Sequence, residues 1–184
     1  MNIAANPTRA PRRAVWMDTD YSITLGTYES GGLVGVFVST VPGRGGPPVH
    51  VHHNEDEAIH VLEGEYEFWL DGQIHPVAAG QSIFLPRGVP HTFRVMGDRP
   101  GRNLTILTPG GLEDFFVEAA ARDLRMPADM AAVLDLAGRY GIEFRGPADW
   151  SGARRGRKPR RKKKDPPGSL RRGLFSLLPR GGGR

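Results

Sequence analysis

The segment Pro47-Pro48-Val49-His50-Val51-His52-His53-Asn54-Glu55-Asp56-Glu57 sets histidines two residues apart and follows them with acids. In an extended strand alternate side chains share a face, so His50 and His52 point one way and Val51 the other. The short polar turn that follows lets Glu57 open the next strand and fold back towards the pair. His91 comes later, behind the Pro-Arg-Gly turn at Pro86–Gly88. If these strands line one barrel, His50, His52, Glu57 and His91 converge. Three neutral imidazoles and one carboxylate suit a divalent first-row metal (Fe, Mn, Ni, Co or Zn), and the donor set does not choose among them. Such a set leaves positions open for water, oxygen or substrate. Glu57 also has a second possible use, because a carboxylate beside a metal can take a proton from an enol or phenol. The bland alternative, surface or structural histidines, stays open on spacing alone.

The elements that must position these groups read as strands. Ser22–Tyr28, Leu33–Val41, Glu57–Glu63, Glu65–Leu70, Gln81–Leu85, His91–Val95 and Asn103–Leu107 are short, rich in β-branched or aromatic residues, and mostly bounded by glycine or proline. Asp71-Gly72, before Gln73–Val77, is a type I′ hairpin signal. Seven to nine short strands at regular spacing suggest a sandwich or barrel. After Gly111 the period changes, and Leu112–Arg122 and Pro127–Tyr140 read as helices. Strand parity turns Ile59 and Val61 inward with Glu57, and Phe93 and Val95 inward with His91. Phe68 joins them if its hairpin face is the buried one. These five form the expected substrate pocket, apolar and suited to an aromatic or otherwise hydrophobic small molecule. Each is equally explicable as barrel core. His53 is expected in a solvent-facing turn, His60 on the outer face and His75 exposed, with Arg87 and Arg94 facing outwards.

Composition bounds the rest. The chain has 184 residues and no cysteine, which excludes disulfides, zinc–cysteine sites, iron–sulfur clusters and a thiol nucleophile. No apolar run is long enough for a membrane span, and Arg12-Arg13 lacks an apolar segment behind it, so a soluble, cytoplasmic protein is expected. The net charge of +5 divides unevenly. Arg154–Arg184 holds 13 basic residues and one acid, or +12, while the remainder holds 12 Arg and 19 acids, or −7. The basic segment is expected to be disordered, with weak non-specific polyanion binding as a possible role. The division expected is a disordered stretch 1–13, a β-barrel over 14–111, a helical extension over 112–150 and the basic tail over 151–184.

The two histidine segments resemble the paired motifs of the cupin superfamily, in particular small single-domain bacterial cupins similar to quercetin dioxygenase. His50-x-His52-x4-Glu57-x6-Gly64 follows the first motif, with its leading glycine displaced to Gly43 or Gly45 beside Arg44. Gly80-x5-Pro86-x-Gly88-x2-His91 follows the second, and Val95 stands where that motif has asparagine. The resemblance covers about Ala14–Pro147. It implies an all-β fold, a double-stranded β-helix or jelly-roll barrel, with two short C-terminal helices. It implies metal ligation by His50, His52, Glu57 and His91, with Glu57 also catalytic, and a homodimer. Dioxygenation of an enolic or phenolic substrate leads among the implied activities. A non-catalytic metal- or ligand-binding cupin and a polyanion-binding protein are the rivals.

Overall fold

The computed structural model describes residues 10–151 and the backbone of Arg154–Arg155. The expectations for residues 1–9 and 156–184, the bulk of the basic tail, lie outside the described residues. Two six-stranded sheets face each other. The first runs in the order β1 (Arg12–Trp16), β2 (Thr19–Leu25), β3 (Gly35–Val41), β10 (Gly101–Thr108), β5 (Asp56–Glu63), β8 (Ser82–Leu85). The second runs β11 (Ile142–Gly146), β4 (Val49–His52), β9 (His91–Val95), β6 (Glu65–Leu70), β7 (Gln73–Ala78), β12 (Arg154–Arg155). All pairings are antiparallel except β12 with β7. Consecutive strands repeatedly enter opposite sheets, so residues distant in sequence meet between the layers. The β6–β7 hairpin turns at Asp71-Gly72, both with positive φ (45° and 78°), as a type I′ turn requires.

The β-barrel and the helices α2 (Glu113–Ala121) and α3 (Met130–Arg139) match the expected fold class. Three boundaries differ. Strand β1 begins at Arg12, because pairing with Ile23 and Ser22 recruits two residues assigned to the disordered N-terminus. The expected helical extension ends in a strand, β11, which pairs with β4 and covers the histidine strand from outside the family motifs. Arg154–Arg155, assigned to the tail, bridges to Gln73 and Ile74. A short helix, α1 (Thr27–Ser30), also interrupts the region read as strand around Tyr28.

Two cores fill the molecule. One lies between β1–β3, α2, α3 and β11 and includes Trp16, Phe37, Leu112, Phe115 and Leu136. The other lies at the far end of the barrel and includes Ile59, Val61, Tyr66, Phe68 and Val95. Helix α2 contributes Phe115 and Ala119 to the first core. It is anchored by Glu113, which is fully buried. The Glu113 carboxylate accepts hydrogen bonds from the Thr27 amide (2.9 Å), the Thr27 hydroxyl (3.2 Å) and the Gly111 amide (2.8 Å). Charge-assisted bonds of this kind are roughly twice as strong as neutral ones. Glu113→Gln is therefore expected to lower the unfolding free energy by about 1–3 kcal/mol, read by urea denaturation, because one acceptor becomes a misplaced donor against a backbone amide.

Candidate metal centre

His50 and His91 lie opposite each other on β4 and β9, and Glu57 enters from β5 in the other sheet. The three imidazole rings of His50, His52 and His91 stand 4.5–5.0 Å apart, centroid to centroid. Glu57 Oε2 lies 3.4 Å from His91 Nε2 and 3.7 Å from His52 Nε2. One ligand atom from each of the four residues falls within 4.8 Å of every other, and all four residues are buried. The four candidate ligands read from the sequence are thus brought to one point.

The local chain sets two of the imidazole orientations by the same device. His50 Nδ1 sits 2.8 Å from the Pro48 carbonyl, and His91 Nδ1 sits 2.8 Å from the Val89 carbonyl, each two residues earlier. A carbonyl can only accept, so Nδ1 carries the proton and the Nε2 lone pair faces the cluster. His91 Nε2 is buried with no hydrogen-bond partner. Burial pushes the His50 imidazole down to about 3, with repulsion from His91 adding to it. Burial likewise holds His52 well below its ordinary value, reinforced by the neighbouring imidazoles. His50 and His52 are therefore neutral at pH 7, the form that binds metal, and no proton need be displaced from either. The unpartnered His91 Nε2, the neutral His50 and His52 imidazoles and an adjacent carboxylate fit a divalent metal.

A cavity of about 310 Å³ opens onto this cluster. Its walls are aromatic: Trp16, Tyr21, Phe37, Phe93, Phe116 and Phe144 all face it. Tyr21 stacks on Phe116 at 3.9 Å and meets Phe37 edge-on at 6.0 Å. Burial pushes the Tyr21 phenol upwards, so it remains a proton donor. Apart from the cluster, the cavity's polar lining groups are Asp18, Thr19, Ser39, Asn103, Thr105 and Arg44, the last paired with Asp98 at 2.7 Å. The rim loop between β3 and β4 hugs β9 so closely that a Cβ on Gly46 would overlap the Phe93 carbonyl.

Of the five expected pocket residues, only Phe93 lines this cavity. Ile59, Val61, Phe68 and Val95 belong instead to the second core. Their inward parity is as read, since Ile59, Val61, Phe68 and Val95 are buried, but parity does not give depth. Each two-residue step moves about 7 Å along the strand, and these side chains pack beneath the site. The aromatic residues that do line it come from β1–β3, α2 and β11, whose approach to the histidines depends on sheet order. Trp16 and Phe144 lie on strands the sequence reading did not include; the period-2 pattern around Val15 and Phe144 was the available signal.

The remaining histidines sit apart. His53 Nε2 meets Glu143 at 3.0 Å on the surface, His60 Nδ1 meets Ser82 Oγ at 2.9 Å, and His75, expected exposed, is half-buried on β7. Arg87 reaches Asp56 (2.8 Å) and Arg94 reaches Glu67 (2.6 Å); neither lines the cavity.

Residues 36–107 match the family described as Cupin domain. Over 60 residues the chain is 37% identical to a protein named polyketide synthase CurC from Streptomyces cyaneus, covering 33% of this chain and 39% of that one. Over 52 residues it is 38% identical to quercetin 2,3-dioxygenase from Bacillus subtilis (strain 168), covering 28% of this chain and 15% of that one. The chain thus spans well under half the length of either curated relative. Among solved structures, an RmlC-like cupin from Shewanella frigidimarina matches 57% of this chain and 88% of its own, at 20% identity and a TM-score of 0.49. The matched residues hold all four candidate ligands, whereas the aromatic wall from Trp16, Tyr21, Phe116 and Phe144 lies outside them. No helix among the described residues is long and apolar enough to cross a membrane.

Proposed function

We propose that this cupin is a metal-dependent enzyme acting on a planar aromatic molecule that bears a phenolic or enolic hydroxyl, with dioxygenation of a quercetin-like substrate as its reaction. The observation that carries this reading is the buried three-histidine, one-carboxylate cluster in an aromatic-walled cavity. His50, His52, His91 and Glu57 would hold one divalent metal, Fe, Mn, Ni, Co or Zn. The bound ion supplies a Lewis acid for the substrate oxygen and, if redox-active, a route for electrons to dioxygen. The chain does the rest. Tyr21, Phe37, Phe116 and Phe93 hold the ring and exclude water. Glu57 accepts the hydroxyl proton at a carboxylate oxygen as that hydroxyl enters.

The match to the protein named as a polyketide synthase favours a second reading, in which the same proton removal starts ring closure of an enolisable polyketide. Oxygen uptake separates the two. Metal-loaded protein given quercetin should consume dioxygen in step with loss of the flavonol. Turnover of an aromatic polyketide without oxygen would select the second reading. Tight metal binding with no turnover of either substrate would leave a ligand-binding cupin.

We also propose a homodimer through the outer face of the first sheet. Val36, Ile106, Ala58 and Phe84 form one row across β3, β10, β5 and β8, and Val38 and Leu104 lie in the next. Phe84 is 57% exposed, in a face whose apolar extent is characteristic of interaction sites. Phe84→Asp should convert a dimer to a monomer by light scattering. A wild-type monomer would overturn the proposal. Arg154–Arg184, with its charge of +12, is proposed to attract polyanions weakly in a salt-screened manner.

A further inference from the structure

The part of the cavity away from the metal cluster has a chemistry that the cluster does not require. Ser39 on β3 and Asn103 on β10 are register partners, and Thr105 is the next inward residue on β10. All three line the cavity, and their exposures are 4%, 1% and 2%. Thr105 Oγ1 donates to Asn103 Oδ1 at 3.2 Å, and Asn103 Nδ2 donates to Tyr66 Oη at 3.3 Å. By inventory, this leaves the second Asn103 N–H, the Thr105 lone pairs and the Tyr66 O–H uncommitted within that network. At the same depth the neighbouring β5 strand supplies only Ile59 and Val61, so the barrel closes here with apolar groups where it can. These side chains satisfy one another in part, and the remaining donors and acceptors are available to a further partner in the cavity.

Their distance from the reacting end is fixed by the strand. Leu107 pairs with Glu57 and so marks the level of the metal cluster. Thr105 lies about 7 Å and Asn103 about 13 Å further along β10. Two or three linked aromatic rings bridge that interval. We propose that Ser39, Asn103 and Thr105 form a polar subsite that recognises a hydroxyl or carbonyl on the end of an aromatic substrate remote from the His50–His52–Glu57–His91 cluster. This rests on the aromatic-substrate reading above. The aromatic walls fix the ring plane, the cluster takes the acidic hydroxyl, and the subsite selects among ring systems by the polar group at the far end. Selection of this kind is strong, because a ligand without that group leaves buried donors and acceptors unpaired.

The test compares quercetin with galangin, the flavonol lacking both hydroxyls on the pendant ring. Binding to the full metal-loaded chain is followed through the fluorescence of Trp16, which lines the cavity. Wild type should bind quercetin roughly tenfold more tightly than galangin, the discrimination expected of one or two hydrogen bonds. Thr105→Val should reduce that ratio to near one by weakening quercetin alone, and Ser39→Ala should reduce it in the same sense. Ser39→Ala removes a single hydroxyl and carries the test if Thr105→Val does not fold. A wild-type ratio near one, or variants that weaken both flavonols equally, would overturn the subsite while leaving the aromatic reading intact. Failure of wild type to bind either flavonol would overturn the aromatic reading and the subsite with it.

Discussion

His91→Ala is expected to release the metal from the purified protein, with affinity falling at least about 100-fold, the upper range for losing a group that merely orients a ligand. His91 is 1% exposed and its Nε2 has no hydrogen-bond partner. Its Nδ1 is held by the Val89 carbonyl, which leaves Nε2 as the atom free to ligate. Glu57→Gln should behave differently. The amide keeps the shape and a weak donor oxygen, so part of the metal is retained. It cannot accept the substrate proton at neutral pH, and turnover should fall by roughly 10²–10⁴, the range for removing a general base. Metal content by mass spectrometry, measured beside steady-state oxygen uptake, distinguishes the two variants. The roles assigned here predict metal loss with activity loss in His91→Ala, and activity loss exceeding metal loss in Glu57→Gln. Equal metal in wild type and His91→Ala would remove the four-residue site from consideration.

The legible part of this site was its most local part. His50 and His52 share a strand, and their spacing alone sets their common face. Glu57 follows a short polar turn and His91 the Pro86–Gly88 turn, so the motifs could be read directly. The cavity wall was not legible in the same way. Trp16, Phe37 and Phe144 reach the histidines only because β1–β3 lie in one sheet and β11 caps the other. That information resides in strand order, which hydrophobic alternation does not encode. The misplaced residues show the same limit from the other side. Ile59 and Val61 have the parity of Glu57, yet packing against Tyr66 and Phe68 assigns them to the core below the site. Alternation gives the face of a strand, and only the partner strands give the depth. Strand β11 was hidden for a related reason. Ile142–Gly146 is short and follows a helix, and its pairing partner β4 lies about 90 residues earlier, so nothing local distinguished it from a helix terminus.

Stability of the metal-free protein is expected to fall steeply as pH drops below about 6.5. The sign follows from where protons bind. The His50 imidazole ordinarily titrates near 6.5 and is pushed down to about 3 in the folded state, first by burial and then by His91. His52 is lowered well below 6.5, again chiefly by burial. Between the two values the unfolded chain takes up protons that the folded chain refuses. Stability from these groups is thus complete above 6.5 and is lost on acidification. Each such histidine contributes a slope of at most about 1.4 kcal/mol per pH unit. Glu55 acts in the opposite direction. It is 5% exposed, and burial raises its carboxyl from 4.5 to about 7. The folded state therefore gains a proton first as pH falls from 7 to 4.5, which offsets about one histidine. The net expectation is a fall in stability below 6.5 that Glu55 partly offsets down to 4.5, and a steeper fall below 4.5 that slackens as folded His50 protonates near 3. Asp56, which its bonds to Arg87 hold at about 2, steepens the fall further at the acid end. Against a total stability of about 5–15 kcal/mol these are large effects. Urea unfolding of chelated protein at pH 7.5, 6.0, 5.0 and 4.0 reads the slope directly, and His50→Gln should flatten it by about one proton's worth. A flat profile would mean that the imidazoles take up protons in the folded state as readily as in the unfolded one. The cluster would then be wet and open instead of dry, and the neutral lone pairs on which metal binding depends would have to be won from protons at every pH below 6.5.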